Sequence, residues 1–255
     1  MTPTARPGIL KAHNFVSPLR TVGALCPTVF FYGHPPAELR SPGTSPARVA
    51  AFGYSPPVRM LLTLSATCLR SMLKPATKGS KPLLALTDLP QYTREVLGLR
   101  GLCLSTELLA GADRRSLETL RERGDKAGCA CLTLAEPPPI KLNASDEATV
   151  KATLDRMARV VQAAQILGCS SAAFIVEGVA TEKDRETAAA RLKQVVSRGE
   201  KLDVNILLGP SPAASAFIEP DMITDVLKRV GGFRVGTFPD FQTASKSKDP
   251  MTYLR

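Results

Sequence analysis

The sequence predicts an α/β protein: an incomplete (β/α)8 TIM barrel of about six β/α units over residues 60–255, behind a disordered N-terminal extension, residues 1–59. Three observations predict it. From Met60 onward, short apolar runs alternate with stretches of helical periodicity. Most of the runs are apolar on both faces, as strands of a parallel sheet covered by helices must be. No glycine-rich phosphate fingerprint follows any of them, which sets a barrel ahead of a nucleotide-binding doubly wound sheet.

The strands are expected at Met60–Leu64, Gly101–Leu109, Cys129–Ala135, Ser171–Val176, Val204–Leu208 and Phe233–Phe238. Between them, Pro82–Leu97 holds a helix broken or restarted near Pro90. Asp113 supplies an N-cap for a helix whose Leu117 and Leu120 share a face and which Gly128 closes. The clearest helix runs from Asp146 to Leu167: Val150, Leu154, Met157, Val161 and Ala164 recur at alternating spacings of four and three, and Gly168 ends it. Asp184 is expected to open the next, with Ala188, Leu192, Val195 and Val196 inward. Pro220, in a first turn, begins another that stops at Gly231-Gly232.

Residues 1–59 have another character. They contain ten of the 21 prolines, both histidines (His13 and His34) and six basic side chains against one acid, Glu38. Such a segment reads as irregular chain: a transit peptide, or residues preceding a true start at Met60. Half of the net charge of +10 falls there, and the rest is spread over helix surfaces, so no nucleic-acid partner is expected. No apolar run is long enough for a membrane helix. The six cysteines (Cys26, Cys68, Cys103, Cys129, Cys131 and Cys169) form no CxxC pair and suit a reducing cytoplasm, and Cys129 and Cys131, two apart in an apolar run, fit buried small side chains.

In a barrel the active site is built where strands end. Glu107, Glu136, Glu177 and Asp240 occupy such ends, and four carboxylates at one mouth would suit a divalent cation or acid–base work beside a carbonyl. Glu136 and Glu177 are the catalytic candidates, and Asp240 is the metal candidate. Residues 60–255 contain no histidine, which removes imidazole bases and His-ligated zinc from that region. Ser105, Ser211 and Cys103 show no base partner in the sequence. Lys141 and Lys183 fall in carboxyl-side loops where they could meet a phosphate, whereas Lys126 lies near a strand's amino end. Arg234, inside an apolar strand, is expected to be paired, with an acid of the mouth as one candidate partner.

Three stretches resemble the sugar phosphate isomerase/epimerase superfamily, the xylose-isomerase-like TIM barrels: Ala127-Gly128-Cys129-Ala130-Cys131-Leu132-Thr133-Leu134, Ala164-Gln165-Ile166-Leu167-Gly168-Cys169, and Gly231-Gly232-Phe233-Arg234-Val235-Gly236-Thr237-Phe238-Pro239-Asp240-Phe241. The likeness extends from about Met60 to the end. It implies a divalent metal (Mn or Mg) held after the fifth, sixth, seventh and eighth strands, and two glutamates moving protons on a small sugar or sugar phosphate. Of that ligand set only Asp240 is present. Gly209 stands where the family often has glutamate, and Thr243 where it has a further histidine. Strands seven and eight have no counterpart, so the barrel is expected to be truncated. The resemblance supports an isomerase/epimerase-like protein. The missing ligands support an alternative, a non-catalytic barrel that binds a sugar or a protein partner.

Overall fold

A computed structural model of the chain describes residues 29–30, 61–74, 80–211, 218–239, 244–247 and 249–251. Its strands are β1 (Val29–Phe30), β2 (Leu61–Ser65), β3 (Gly101–Ser105), β4 (Ala130–Lys141), β5 (Ser171–Glu177), β6 (Asn205–Pro210) and β7 (Val235–Thr237). Its helices are α1 (Arg70–Leu73), α2 (Leu89–Glu95), α3 (Arg114–Ala127), α4 (Glu147–Leu167), α5 (Glu182–Leu202) and α6 (Pro220–Val230). Strands β2 to β7 lie side by side in sequence order and are parallel throughout, the β/α arrangement expected.

Helix ends follow local chemistry. Asp113 and Asp146 accept the backbone N–H groups of Ser116 and Thr149 and so cap α3 and α4. Helix α4 is closed by Gly168 at φ +75°, a left-handed conformation that favours glycine. Helix α5 starts earlier than expected. Thr181 is its N-cap, and Asp184 is the third residue of a capping box rather than the opener, its carboxylate reaching back to the Thr181 N–H.

Three other boundaries differ from expectation. The helix expected over 82–97 is confined to Leu89–Glu95 after a 3-10 turn, because Pro90 is tolerated only in the first turn. The strand expected to reach Leu109 stops at Ser105, whose side chain accepts the Glu107 N–H and starts a 3-10 turn, Thr106–Leu108. Strand β4 runs on through three consecutive prolines to Lys141, with a break in its register against β5 between Glu136 and Ile140. In the extension, read as wholly irregular, Val29–Phe30 pairs antiparallel with Leu61–Leu62 on the β2 edge. Apart from Val29 and Phe30, residues 1–59 lie outside the described residues.

The core is the layer between sheet and helices. Leu102, Leu104, Leu134, Phe174, Val176, Ile206 and Leu208 project from alternate strand positions against Leu117, Leu120, Met157, Val161, Ala164, Leu192 and Val195. Each such side chain contributes about 1.5–3 kcal/mol by leaving water. The other sheet face, which would line a barrel's interior, carries Thr63, Ser65, Cys103, Ser105, Thr133, Ala135, Ser171 and Ala173. These are small or hydroxylated residues, where packed barrels favour bulky aliphatic ones, so the inner face leaves room.

Candidate functional site

The room lies at the carboxyl ends of the strands. A cavity of about 350 Å³ is walled by Ser65, Cys103, Ser105, Ala135, Ala173, Ile175 and Phe238 from the strands and their ends, with Thr67, Arg70, Glu107 and Glu136 around them. Its position follows from pleat and register: Ser65 pairs with Cys103, Ser105 with Ala135, and Ile175 with Gly209, all on the inner face.

Two expected carboxylates meet in this cavity, each already neutralised. Glu107, on the turn after β3, is ion-paired with Arg70 of α1, and the pair spans the rim half-exposed. Glu136 is only 5 % exposed and bonded by the guanidinium of Arg156 on α4. It shares its face of β4 with Leu134, which packs into the helix layer. Glu136 therefore stands in the wall between the inner cavity and the helices, with its partner on the outer side. A charge so buried requires that pairing.

Glu177 ends β5 on the inner face, two residues beyond cavity-lining Ile175. It is half-buried and accepts a hydrogen bond from Ser211 Oγ at 2.9 Å. Ser211, which shows no base partner in the sequence, thus has a carboxylate partner, brought to it by the pairing of Val176 with Pro210. Lys141 sits beside Glu177 in the β4–β5 register and is exposed, as is Lys183 in the first turn of α5. Lys126 is exposed at the end of α3. Asp240 lies outside the described residues.

Arg234 is paired, but not at the mouth. Its guanidinium meets Asp203, the residue closing α5, at the amino ends of the strands. It precedes β7, so it belongs to the end opposite the cavity.

Four of the thiols behave as small core groups, while Cys68 is partly exposed and Cys26 lies outside the described residues. Cys103, Cys129, Cys131 and Cys169 are all buried and free. Burial pushes the Cys103 and Cys131 thiols up to about 12 and Cys129 to about 11, and it raises Cys169 as well. Neutral thiols are poor nucleophiles at ordinary pH.

The described residues do not assemble the metal site that the resemblance implies. Among them no three His, Cys, Asp or Glu side chains gather as a ligand cluster. At Gly209 a Cβ would stand 2.7 Å from the carbonyl oxygen of Phe238, so the backbone just past β7 fills the place a glutamate would need.

Ser65, Thr67, Arg70 and Arg156 were not singled out in the sequence. Arg156 carries one signal in hindsight: a charge beside Met157 and Val160 on a helix packed against a strand needs a partner in that strand's wall.

The model of the family described as xylose isomerase-like TIM barrel matches residues 97–250, more than half of the chain. The chain belongs to this family. Solved barrels agree in fold. The probable 3-DHS dehydratase AsbF of Bacillus anthracis is 14% identical with a TM-score of 0.58, over 75% of this chain and 67% of that one. An L-ribulose 3-epimerase is 16% identical with a TM-score of 0.54, over 69% and 58%. A D-psicose 3-epimerase, solved in the presence of D-fructose, is 13% identical with a TM-score of 0.52, over 60% and 57%. The barrel thus spans about two thirds of the first and under two thirds of the two epimerases. At these identities the likeness is one of fold. Among curated proteins none matches the sequence. No helix among the described residues is long and apolar enough to cross a membrane.

Proposed function

We propose that this barrel binds a small sugar, free or phosphorylated, in the cavity at the carboxyl ends of β2–β5, and that it is isomerase- or epimerase-like, moving a proton at the carbon beside the sugar carbonyl. The observation that carries this reading is the hydroxyl-lined inner wall (Ser65, Thr67, Ser105) with charged groups at its rim. Sugar hydroxyls need both donors and acceptors, and a serine or threonine supplies each. The epimerases of like fold make a small sugar the natural class to test.

Proton transfer is assigned to Glu177. It faces inward at a strand's end, and it carries no ion pair among the described residues, so its carboxylate is available as a base. Ser211 orients it. Glu136 keeps a carboxylate oxygen for a substrate hydroxyl while Arg156 holds the other. Lys141, which pairs with Glu177 in the register, is assigned to a phosphate where the sugar carries one. Asp240 is the proposed ligand for any divalent cation, and no step above depends on one.

A second reading, a sugar-binding barrel without turnover, is favoured by one observation: Glu107 and Glu136 are both tied to arginines. One experiment separates them. The protein is incubated with ketoses in D2O, with Mn²⁺ or with EDTA, and hydrogen-to-deuterium exchange beside the carbonyl is followed by NMR while ligand stabilisation is read by thermal shift. Exchange that falls about 100-fold or more in Glu177→Gln, with stabilisation retained, is the expected result. Stabilisation without exchange selects the binding protein. With neither for any sugar, both readings fall.

A further inference from the structure

On the outer side of Glu136 lies a second cavity, of about 380 Å³, between α4 and the stretch from Thr106 into the first turn of α3. Its floor is apolar: Leu109, Ala112, Leu117, Leu134, Val160 and Ala163. Two of these are alanines, one on each side of the cleft, and their short side chains leave the gap that larger residues would fill. Arg156, Arg159, Val160 and Ala163 recur at helical spacing, so one face of α4 presents two guanidinium groups above an apolar strip.

The charge of this cleft is out of balance. Arg156 and Arg159 face a single lining carboxylate, Glu136, which Arg156 engages. Arg159 is exposed and has no hydrogen-bond or ion-pair partner among the described residues. Arg156 offers further N–H donors, since a guanidinium has five and Glu136 takes only part of them. Thr106 lines the same cleft. An anion with a short apolar body would satisfy all of these features: its head bonded by two arginines, its tail on the leucines, valine and alanines.

We propose that this cleft beside α4 is a second ligand site, taking a small amphipathic carboxylate, distinct from the inner cavity and separated from it by the Glu136 side chain. The proposal does not depend on the sugar-binding reading, because it concerns the opposite side of β4. Hexanoate is the probe, and hexan-1-ol, of the same length without the charge, is the control. Titration calorimetry of the full chain should show saturable hexanoate binding, with hexan-1-ol at least tenfold weaker. Arg159→Ala, a change at an exposed and unpartnered side chain that leaves the melting temperature in place, should weaken hexanoate at least tenfold. Ala163→Phe, which fills the gap, should abolish it. No saturable binding by about 10 mM hexanoate, equal binding of the alcohol, or an unchanged affinity in Arg159→Ala would each overturn the assignment.

Discussion

Replacing Arg156 by methionine keeps much of the side chain's apolar stem and removes its charge, which isolates what the guanidinium does for Glu136. Glu136 is 5 % exposed, whereas the Arg156 side chain is 37 % exposed. Removing one partner of a fully buried pair costs about 3–5 kcal/mol, because the other charge is left uncompensated. Here water can enter where the guanidinium was, so the cost falls to or below the lower end of that range, about 2–3 kcal/mol. For a domain of this size about 1 kcal/mol lowers the melting temperature by roughly 2–4 °C, giving a drop of roughly 4–12 °C. The assay is urea unfolding of wild type, Arg156→Met, Glu136→Met and the double variant at neutral pH. The double variant has no stranded charge and should be more stable than Arg156→Met alone, with a coupling of about 1.5 kcal/mol or more. If Arg156→Met costs less than about 0.5 kcal/mol, or the two losses simply add, Glu136 is not held by this pair.

Two further predictions follow from local geometry. Gly209→Glu will not restore a mouth carboxylate. Its Cβ meets the Phe238 carbonyl at 2.7 Å, and Phe238 N–H is itself bonded to Leu208 at 2.7 Å, so the backbone just past β7 cannot yield without losing that bond. Gly209→Ala, which adds only that Cβ, should already show most of a loss of about 2–3 kcal/mol in thermal melts, and full stability of either variant would contradict the packing. The capping carboxylates set an acid limb to stability. Hydrogen bonds from the side chains of Ser116, Thr149 and Thr181 hold Asp113, Asp146 and Asp184 below the ordinary carboxylate range. The folded chain binds these protons less readily than the unfolded one, so their contribution is complete above about pH 4 and is lost as pH falls through the folded values. Asparagine at 113 and 146 caps without titrating, and melting temperatures of that double variant should decline less between pH 5 and pH 3 than the wild type's. Parallel declines would argue against the assignment.

Much of the barrel was written locally. Apolar runs, N-caps at Asp113 and Asp146, closing glycines at 128, 168 and 231, and the heptad-like stripe of α4 each depend on near neighbours in the chain, and these elements appear where expected. The elements that strayed depend on partners far away. The two-residue strand Val29–Phe30 exists because β2 offers an edge, and β4 crosses three prolines because β5 lies alongside.

The candidate site divides along the same line. The sequence by itself put Glu107 and Glu177 at the carboxyl ends of parallel strands, since strand order and direction follow from the β/α alternation, whereas Glu136, expected at such an end, lies within β4, which runs on to Lys141. Only the tertiary structure decided which way each one faces and which group it pairs with. The register of β3 against β4 slips between Leu102 and Cys103, so Leu132 is the extra residue and the faces of β4 are set from that point on. That slip turns Glu136 toward Arg156, twenty residues along the chain, while Glu177 stays on the inner face with Ser211. Arg234 likewise found Asp203 at the opposite end. A strand's pleat reverses with every residue, so which side a carboxylate faces is fixed by pairing between strands and cannot be read from the order of residues within one.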